Sequence, residues 1–149
     1  TGAYNDLILR RCLANSRMLS SDVSSAFDPT YAASFDKKNV AYLGHGMVFN
    51  KFTGARGKSG SNDANAEYVA KVRKIFDEVM DDAGVTFQTA ELGKVDLGGG
   101  GTIAYILSLY GMNVIDCGVP VLNMHAPHEA TSKADLYEAK CGYKAFLEA

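Results

Sequence analysis

Two polar residues follow predicted buried strands and carry side chains that bind metals. Asp22 comes after the run Met18–Ser21, and His125 comes after Val121–Met124. Functional side chains collect at strand ends in α/β folds, and carboxylate and imidazole donors suit zinc, cobalt or manganese. A polar strand end can equally be satisfied by hydrogen bonds, which burial would demand. Because the two residues are 103 positions apart, spacing alone leaves both interpretations open.

Two glycine-rich stretches are candidate binding loops. Gly98–Gly101 precede a helical pattern, so their backbone N–H groups can approach an anion or a carbonyl. A tight strand-to-helix turn explains the same glycines equally well. The second stretch, Gly54–Gly60, ends like a phosphate-binding P-loop at Gly57, but the glycine required five residues earlier is Phe52. This stretch is therefore interpreted as a flexible surface or substrate loop.

Helical and strand patterns alternate along the chain. Alternation of this kind is typical of an α/β fold with a β-sheet covered by helices on both faces. A helix capped by Asn62 and Gly84 is the clearest single pattern, and Ser132 with Asp135 predicts the cap of the last helix. The other predicted elements are helices at 4–15 and 103–110, strands at 18–23, 47–52, 85–92, 114–115 and 119–122, and a loop at 53–61.

Composition excludes several classes of protein. The chain has 149 residues, a net charge of −2 and 47% hydrophobic residues, which fits one globular domain rather than a disordered chain. No basic face for nucleic acid and no membrane-spanning run is predicted. The three cysteines lack the spacing of a thiolate metal site, which favours a cytoplasmic protein. The absence of an initial Met predicts a piece of a longer chain.

Four spaced segments together resemble the aspartyl aminopeptidase / vacuolar aminopeptidase I family of dizinc exopeptidases. The similarity runs in the same order over nearly all 149 residues. It implies a three-layer catalytic domain with a central β-sheet flanked by helices. The segments are SSDVSSAFDPTY (20–31), KFTGARGKSGSNDA (51–64), ELGKVDLGGGGT (91–102) and IDCGVPVLNMHAPHEATSKAD (115–135).

The resemblance assigns metal-binding roles to residues of this chain. Asp22 matches the family's ligand aspartate and His125 the histidine of its Met-His segment, each on one of two zinc ions. Cobalt or manganese could replace zinc. The remaining ligands and the general-base glutamate precede the matching region. Residues 1–149 therefore correspond to the C-terminal portion of one catalytic domain, with no catalytic residue of its own and no expected activity alone.

The same resemblance predicts the substrate class and the assembly. The aspartyl members have a histidine where this chain has Ser25, and a lysine for acidic substrates where it has Asn50. We therefore expect a peptide substrate with a neutral or hydrophobic N-terminal residue, near Asn50, Gly99 and Gly100. The family also implies a homo-oligomer, a dodecamer. Two alternatives remain: an inert assembly or binding module of the family, and a phosphate-binding α/β domain using the glycine loops.

Overall fold

The computed structural model describes residues 5–55, 59–79, 84–94 and 99–149. Helices and short strands alternate along the described chain, as the sequence predicts. The helices are α1 (Asp6–Ala14), α2 (Ala66–Asp77), α3 (Ala104–Ser108) and α4 (Lys133–Glu148), with a 3-10 helix at Pro29–Ser34. The strands are β1 (Arg17–Ser20), β2 (Ser24–Ser25), β3 (Met47–Asn50), β4 (Phe52–Ala55), β5 (Ser59–Asp63), β6 (Phe87–Thr89), β7 (Asn113–Gly118), β8 (Pro120–Leu122) and β9 (Ala130–Thr131).

A mixed four-stranded sheet lies at the centre, in the order β1-β7-β3-β6. Strand β7 is parallel to β1 and antiparallel to β3, and β3 is parallel to β6. A second sheet has the order β2-β8-β9, and β4 and β5 form an antiparallel hairpin. Ser20 pairs with Asp116 and Ser24 pairs with Pro120, so the partners in both pairs are the same distance apart in the sequence. The β1/β7 and β2/β8 pairs are therefore one parallel ladder that is interrupted opposite residue 118.

Alternation along the central strands divides the sheet into an apolar and a more polar face. Ile115 and Cys117 of β7 belong to the main hydrophobic core, together with Val72 and Phe76 of α2. Each fully buried side chain of this size contributes about 1.5–3 kcal/mol to folding. Asp116 lies between these two positions and so points to the other face, where a hydrogen bond from Thr102 reaches it just before α3. The result is the expected layered α/β fold.

Local signals predict the ends of some helices but not those of α2. Gly111 has φ +80° and closes the turn after α3, as predicted, whereas α2 ends at Asp77 with Glu78 as its C-cap, so the predicted cap Gly84 (φ +72°) lies beyond the end of the helix. The predicted N-cap of α2 is wrong by about one turn. The observed N-cap is Asn65, whose side chain accepts a hydrogen bond from Tyr68 N–H at 2.8 Å. The predicted cap, Asn62, is instead buried in β5 and donates to the carbonyl oxygen of Val114 at 2.9 Å.

Two predictions that depended on local sequence are wrong. The predicted loop 53–61 contains the β4/β5 hairpin, in which Thr53 pairs with Asn62. The predicted interruption at 116–118 does not occur, since β7 continues to Gly118 and the break falls at Val119. The hairpin strands pair with each other, and β7 pairs with β1 and β3, which are distant in the sequence. In both cases the strand pairing overrides the low strand propensity of the local sequence. Within the described ranges, no helix is long and apolar enough to cross a membrane.

Candidate active site

Asp22 lies in the interruption of the parallel ladder, between β1 and β2. Its side chain is exposed, and it forms no hydrogen bond with any described residue. The register places it opposite Gly118, and the contact is unusually close. A Cβ atom added to Gly118 would lie 1.9 Å from the carbonyl oxygen of Asp22. Only glycine allows this approach, so Gly118 determines where the Asp22 backbone lies.

His125 lies in the loop 123–129, which connects β8 to β9. Its side chain is exposed, and its imidazole makes no hydrogen bond with the described part of the chain. The backbone is in the left-handed region at Asn123 (φ 57°) and at His125 itself (φ 68°). The N–H of His125 donates to Oε1 of Glu129 at 2.6 Å. The loop therefore presents both ring nitrogens of His125 without engaging either.

The two predicted metal ligands lie at different places, Asp22 at the interruption of the parallel ladder and His125 in the loop that follows β8. Asp22 is level with Gly118, whereas His125 follows the end of β8 at Leu122. Within the described ranges, no group of three or more His, Cys, Asp or Glu side chains is arranged to hold a metal ion. The described residues thus contribute two separate donors rather than a complete metal centre.

A row of buried polar side chains crosses the central sheet. Ser20, Asp116 and Asn50 occupy paired positions on β1, β7 and β3, and each is at most 1% exposed. Asn50 accepts a hydrogen bond from the Ser24 hydroxyl at 3.3 Å. We call Ser20, Asp116 and Asn50 the polar row. It places the predicted substrate residue Asn50 on the same face as Ser20 of β1, the strand that leads into Asp22, with Asp116 of β7 between them.

Asp116 is the electrostatic centre of the polar row. Its Oδ2 accepts a hydrogen bond from the Thr102 hydroxyl at 2.7 Å, while its Oδ1 and the Ser20 hydroxyl have no hydrogen-bond partner in the described structure. Burial raises the pKa of Asp116; nearby hydroxyl dipoles, first that of Ser20, offset part of this rise, and the negative charge of Asp22 adds to it. This face of the sheet therefore disfavours additional negative charge.

Thr102 connects the Gly99–Gly101 loop to the polar row. Gly99 has φ +86°, and a Cβ atom there would lie 2.9 Å from the carbonyl oxygen of Gly54 in β4. Gly100 is less restricted, since its Cβ would lie 3.6 Å from Leu92 Cδ1. Gly98, which belongs to the same prediction, lies outside the described residues, as does the P-loop-like Gly57. The Thr102–Asp116 hydrogen bond thus connects this loop to the polar row.

Asn50 and Lys51 lie on opposite sides of their segment, as the alternation predicts. Asn50 is buried, whereas the side chain of Lys51 is 50% exposed and forms an ion pair with Asp63 on β5. The positive charge next to Asn50 in the sequence is therefore directed away from the polar row and is already paired.

The two predicted ligands fit zinc in kind but not in number. Asp22 offers carboxyl oxygens and His125 imidazole nitrogens, both exposed and not engaged by described residues. These are oxygen and nitrogen donors that bind zinc, cobalt and manganese. A catalytic zinc ion usually takes three protein ligands. The described residues can therefore supply part of such a site and require further ligands to complete it.

Sequence reasoning missed three residues that shape this region. The predicted strands at 114–115 and 119–122 leave Asp116 out, although alternation with Ile115 and Cys117 is a signal for a strand with one polar face. Gly118 and Glu129 carried no such signal. Their roles depend on backbone contacts with Asp22 and His125 that only the folded chain shows.

Known proteins were compared with the chain at the level of sequence and of fold. A family model described as aminopeptidase I zinc metalloprotease (M18) matches residues 2–147. A probable M18 family aminopeptidase 1 of Clostridium acetobutylicum is 65% identical over 146 residues, covering 98% of this chain and 30% of the relative. A similar protein of Thermotoga maritima is 46% identical over 144 residues, covering 97% of this chain and 31% of the relative.

Solved structures of this family have the same fold. The crystal structure of aminopeptidase I from C. acetobutylicum superimposes with a TM-score of 0.84 at 66% identity, over 93% of this chain and 30% of that chain. The M18 aminopeptidase of T. maritima gives 0.88 at 44% identity, over 97% of this chain and 31% of that one. The yeast mApe1 dodecamer gives 0.69 at 21% identity, over 99% of this chain and 30% of that chain.

The chain thus spans about three tenths of the length of the relatives it matches. Within that span, the family model includes both predicted metal ligands, the polar row and the loop 123–129. The match over nearly the whole sequence, together with the shared fold, shows that this chain belongs to the aminopeptidase I zinc metalloprotease (M18) family.

Proposed function

We propose that residues 1–149 are the C-terminal portion of the catalytic domain of a cytoplasmic zinc aminopeptidase. In this proposal Asp22 and His125 are terminal ligands, each to one of two zinc ions. The observation that carries it is the free state of both donors, since neither side chain is engaged by a described residue. Membership of the M18 family supports the zinc assignment. The other ligands and the general base belong to the part of the relatives that this chain does not match.

The proposed reaction is hydrolysis of a peptide bond next to a free N-terminus. Two bound zinc ions would lower the pKa of a water molecule and polarise the scissile carbonyl group. The residues of this chain would hold and orient the metal-binding groups. Gly118 of β7 sets the position of the Asp22 backbone. Asp116, also on β7, connects this strand to the Gly99–Gly101 loop through its hydrogen bond with Thr102.

The polar row supports a preference for neutral or hydrophobic N-terminal residues. Asn50 is uncharged and buried beside Asp116, whereas Lys51 is paired with Asp63 on the other side. An acidic substrate side chain brought to Asn50 would have no cation from these residues to offset its loss of hydration, and such an unpaired charge is strongly unfavourable. We expect substrates to pass near Asn50, Gly99 and Gly100.

Ranking kcat/KM for a panel of aminoacyl amides tests the substrate assignment. Leu and Met derivatives should be cleaved faster than Asp and Glu derivatives by the whole chain that contains these residues. A clear preference for Asp would contradict the role given to Asn50 and would place the cation-bearing position elsewhere in the strand.

The enzyme is also proposed to act as a homo-oligomer, specifically a dodecamer. The yeast protein whose fold it shares is itself described as a dodecamer. Light scattering of the whole chain tests this proposal. A monomer at micromolar concentration would contradict it.

Metal analysis of the whole chain tests the central assignment. The wild-type protein should bind two zinc ions per subunit, and Asp22→Ala and His125→Ala should each lose zinc and activity while remaining folded. His128→Ala is a matched control, because His128 lies in the same loop and its side chain is likewise exposed. A folded wild-type protein that binds no zinc would favour the inert assembly module instead.

A further inference from the structure

The loop that carries His125 is closed at its base by paired strands. Leu122 at the end of β8 pairs with Ala130 at the start of β9, and Val121 pairs with Thr131. The Thr131 hydroxyl also donates to the carbonyl oxygen of Pro120 at 2.8 Å. These contacts fix both ends of the loop, so the position of His125 depends on what holds the seven residues between them.

The backbone of this loop is strained at the position of the candidate ligand. His125 has φ 68° and Asn123 has φ 57°, both in the left-handed region. Asparagine and histidine adopt this region more often than most residues, but holding a non-glycine residue there still costs on the order of 1–3 kcal/mol. The Ala126 N–H donates to the Asn123 carbonyl oxygen at 2.9 Å and closes one turn. That bond does not involve His125, so another contact must stabilise its conformation.

Glu129 supplies that contact. Its Oε1 atom accepts a hydrogen bond from the His125 N–H at 2.6 Å, so the bond joins two residues within the same loop. A bond from an N–H group to a carboxylate is shorter and stronger than one between neutral partners. Because the bond is made to the main chain, it restrains the direction of the Cα–Cβ bond and leaves both imidazole nitrogens available.

We infer that Glu129 is a positioning residue for His125, which holds the strained backbone that aims the imidazole at its metal ion. This inference rests on the proposed function. Metal-bound histidines usually have a hydrogen-bond partner for their second ring nitrogen. The described residues offer no such partner for the imidazole of His125. The orienting contact is made instead by the backbone N–H of His125, which donates to Glu129.

Zinc affinity of the whole chain, measured by competition with a chelator, tests the inference. Glu129→Ala should weaken binding of the zinc held by His125 by about 10–100-fold, as loss of a residue that orients a ligand typically does. Glu129→Gln keeps an oxygen acceptor and should restore most of this affinity. The matched control His128→Ala should bind zinc like the wild type. Melting temperatures of all variants should confirm that each is folded.

A double-variant cycle separates a positioning role from a general structural one. In a His125→Ala background, Glu129→Ala should cause no further loss of zinc, because its effect passes through His125. An additional loss of equal size in that background, or wild-type zinc affinity in Glu129→Ala alone, would overturn the inference. If His125→Ala itself leaves zinc binding unchanged, the proposed function fails instead, so the two failures are distinguishable.

Discussion

Replacing Gly118 with alanine should displace Asp22 without changing any candidate ligand. The added Cβ atom would lie 1.9 Å from the Asp22 carbonyl oxygen and 2.7 Å from its carbonyl carbon. Gly118 does not have a positive φ, so the substitution costs little in backbone conformation. Its whole effect should come from this steric contact between β7 and the segment that joins β1 to β2.

The size of the effect follows from the overlap. Non-bonded heavy atoms are comfortable at about 3.5 Å, so the two backbones must separate by about 1.5 Å. Overpacking of this kind costs about 1–3 kcal/mol of folding free energy. A misplacement of about 1 Å in an active site can reduce the rate by about 100-fold. We therefore expect both a lower melting temperature and a roughly 100-fold lower kcat/KM for the whole chain.

Gly46→Ala provides a control with the same kind of clash at a distance from Asp22. A Cβ atom on Gly46 would lie 2.1 Å from the carbonyl oxygen of Thr86, and its φ is +85°. Gly46 precedes β3, whereas Asn50 ends it. This variant should lose at least as much stability and retain the zinc affinity of the wild type. If Gly118→Ala loses stability but binds zinc and turns over substrate normally, the link between Gly118 and Asp22 is refuted.

Three further substitutions test the forces that hold the fold. Burial raises the pKa of Asp116 above its ordinary value of 3.8, so the folded chain binds the proton of this carboxyl group more tightly than the unfolded chain does. The folded state should therefore lose stability as the pH rises from about 3.8 through the raised pKa. Asp116→Asn should flatten that slope in urea unfolding across pH; an unchanged slope would assign it to other groups. Asp135→Ala removes the acceptor for the N–H groups of Gly44 and Gly46, each at 2.8 Å, and should cost about 3 kcal/mol in urea unfolding; a loss below about 1 kcal/mol would show that water replaces the carboxylate. Asn65→Ala should cost about 1 kcal/mol by removing the N-cap of α2, and an unchanged melting temperature would contradict that role.

The helices could be predicted because their signals are local. Ser132 accepts a hydrogen bond from Asp135 N–H at 3.4 Å, as the predicted cap of α4 requires. The β4/β5 hairpin could not be predicted in this way. Its strands contain glycine, serine and asparagine, which have low strand propensity. They are strands because Phe52 pairs with Asp63 and because Asn62 donates to Val114 on β7.

The two exposed donors Asp22 and His125 could be predicted, but the buried carboxyl group of Asp116 could not. Asp22 and His125 follow the predicted strand segments 18–21 and 121–124, so their place at a strand end marks them. The burial of Asp116 could not be predicted in this way, because a buried carboxyl group is unfavourable unless other groups hydrogen-bond to it. Its partner Thr102 comes from the glycine loop, and its neighbours Ser20 and Asn50 come from two other strands. Such a group can be recognised only when all four segments are placed together.

The register of β7 explains why the core and the candidate site cannot vary independently. Ile115 and Cys117 pack in the core on one face of β7. On the other face, Asp116 accepts a hydrogen bond from Thr102, and Gly118 allows the close approach of the Asp22 backbone. Side chains alternate with a period of two, so a slip of one residue would exchange the two sets. It would bring a carboxyl group into the apolar core and a side chain against the Asp22 backbone. The pairing of β7 between β1 and β3 therefore stabilises the fold by the same contacts that position the proposed metal ligand.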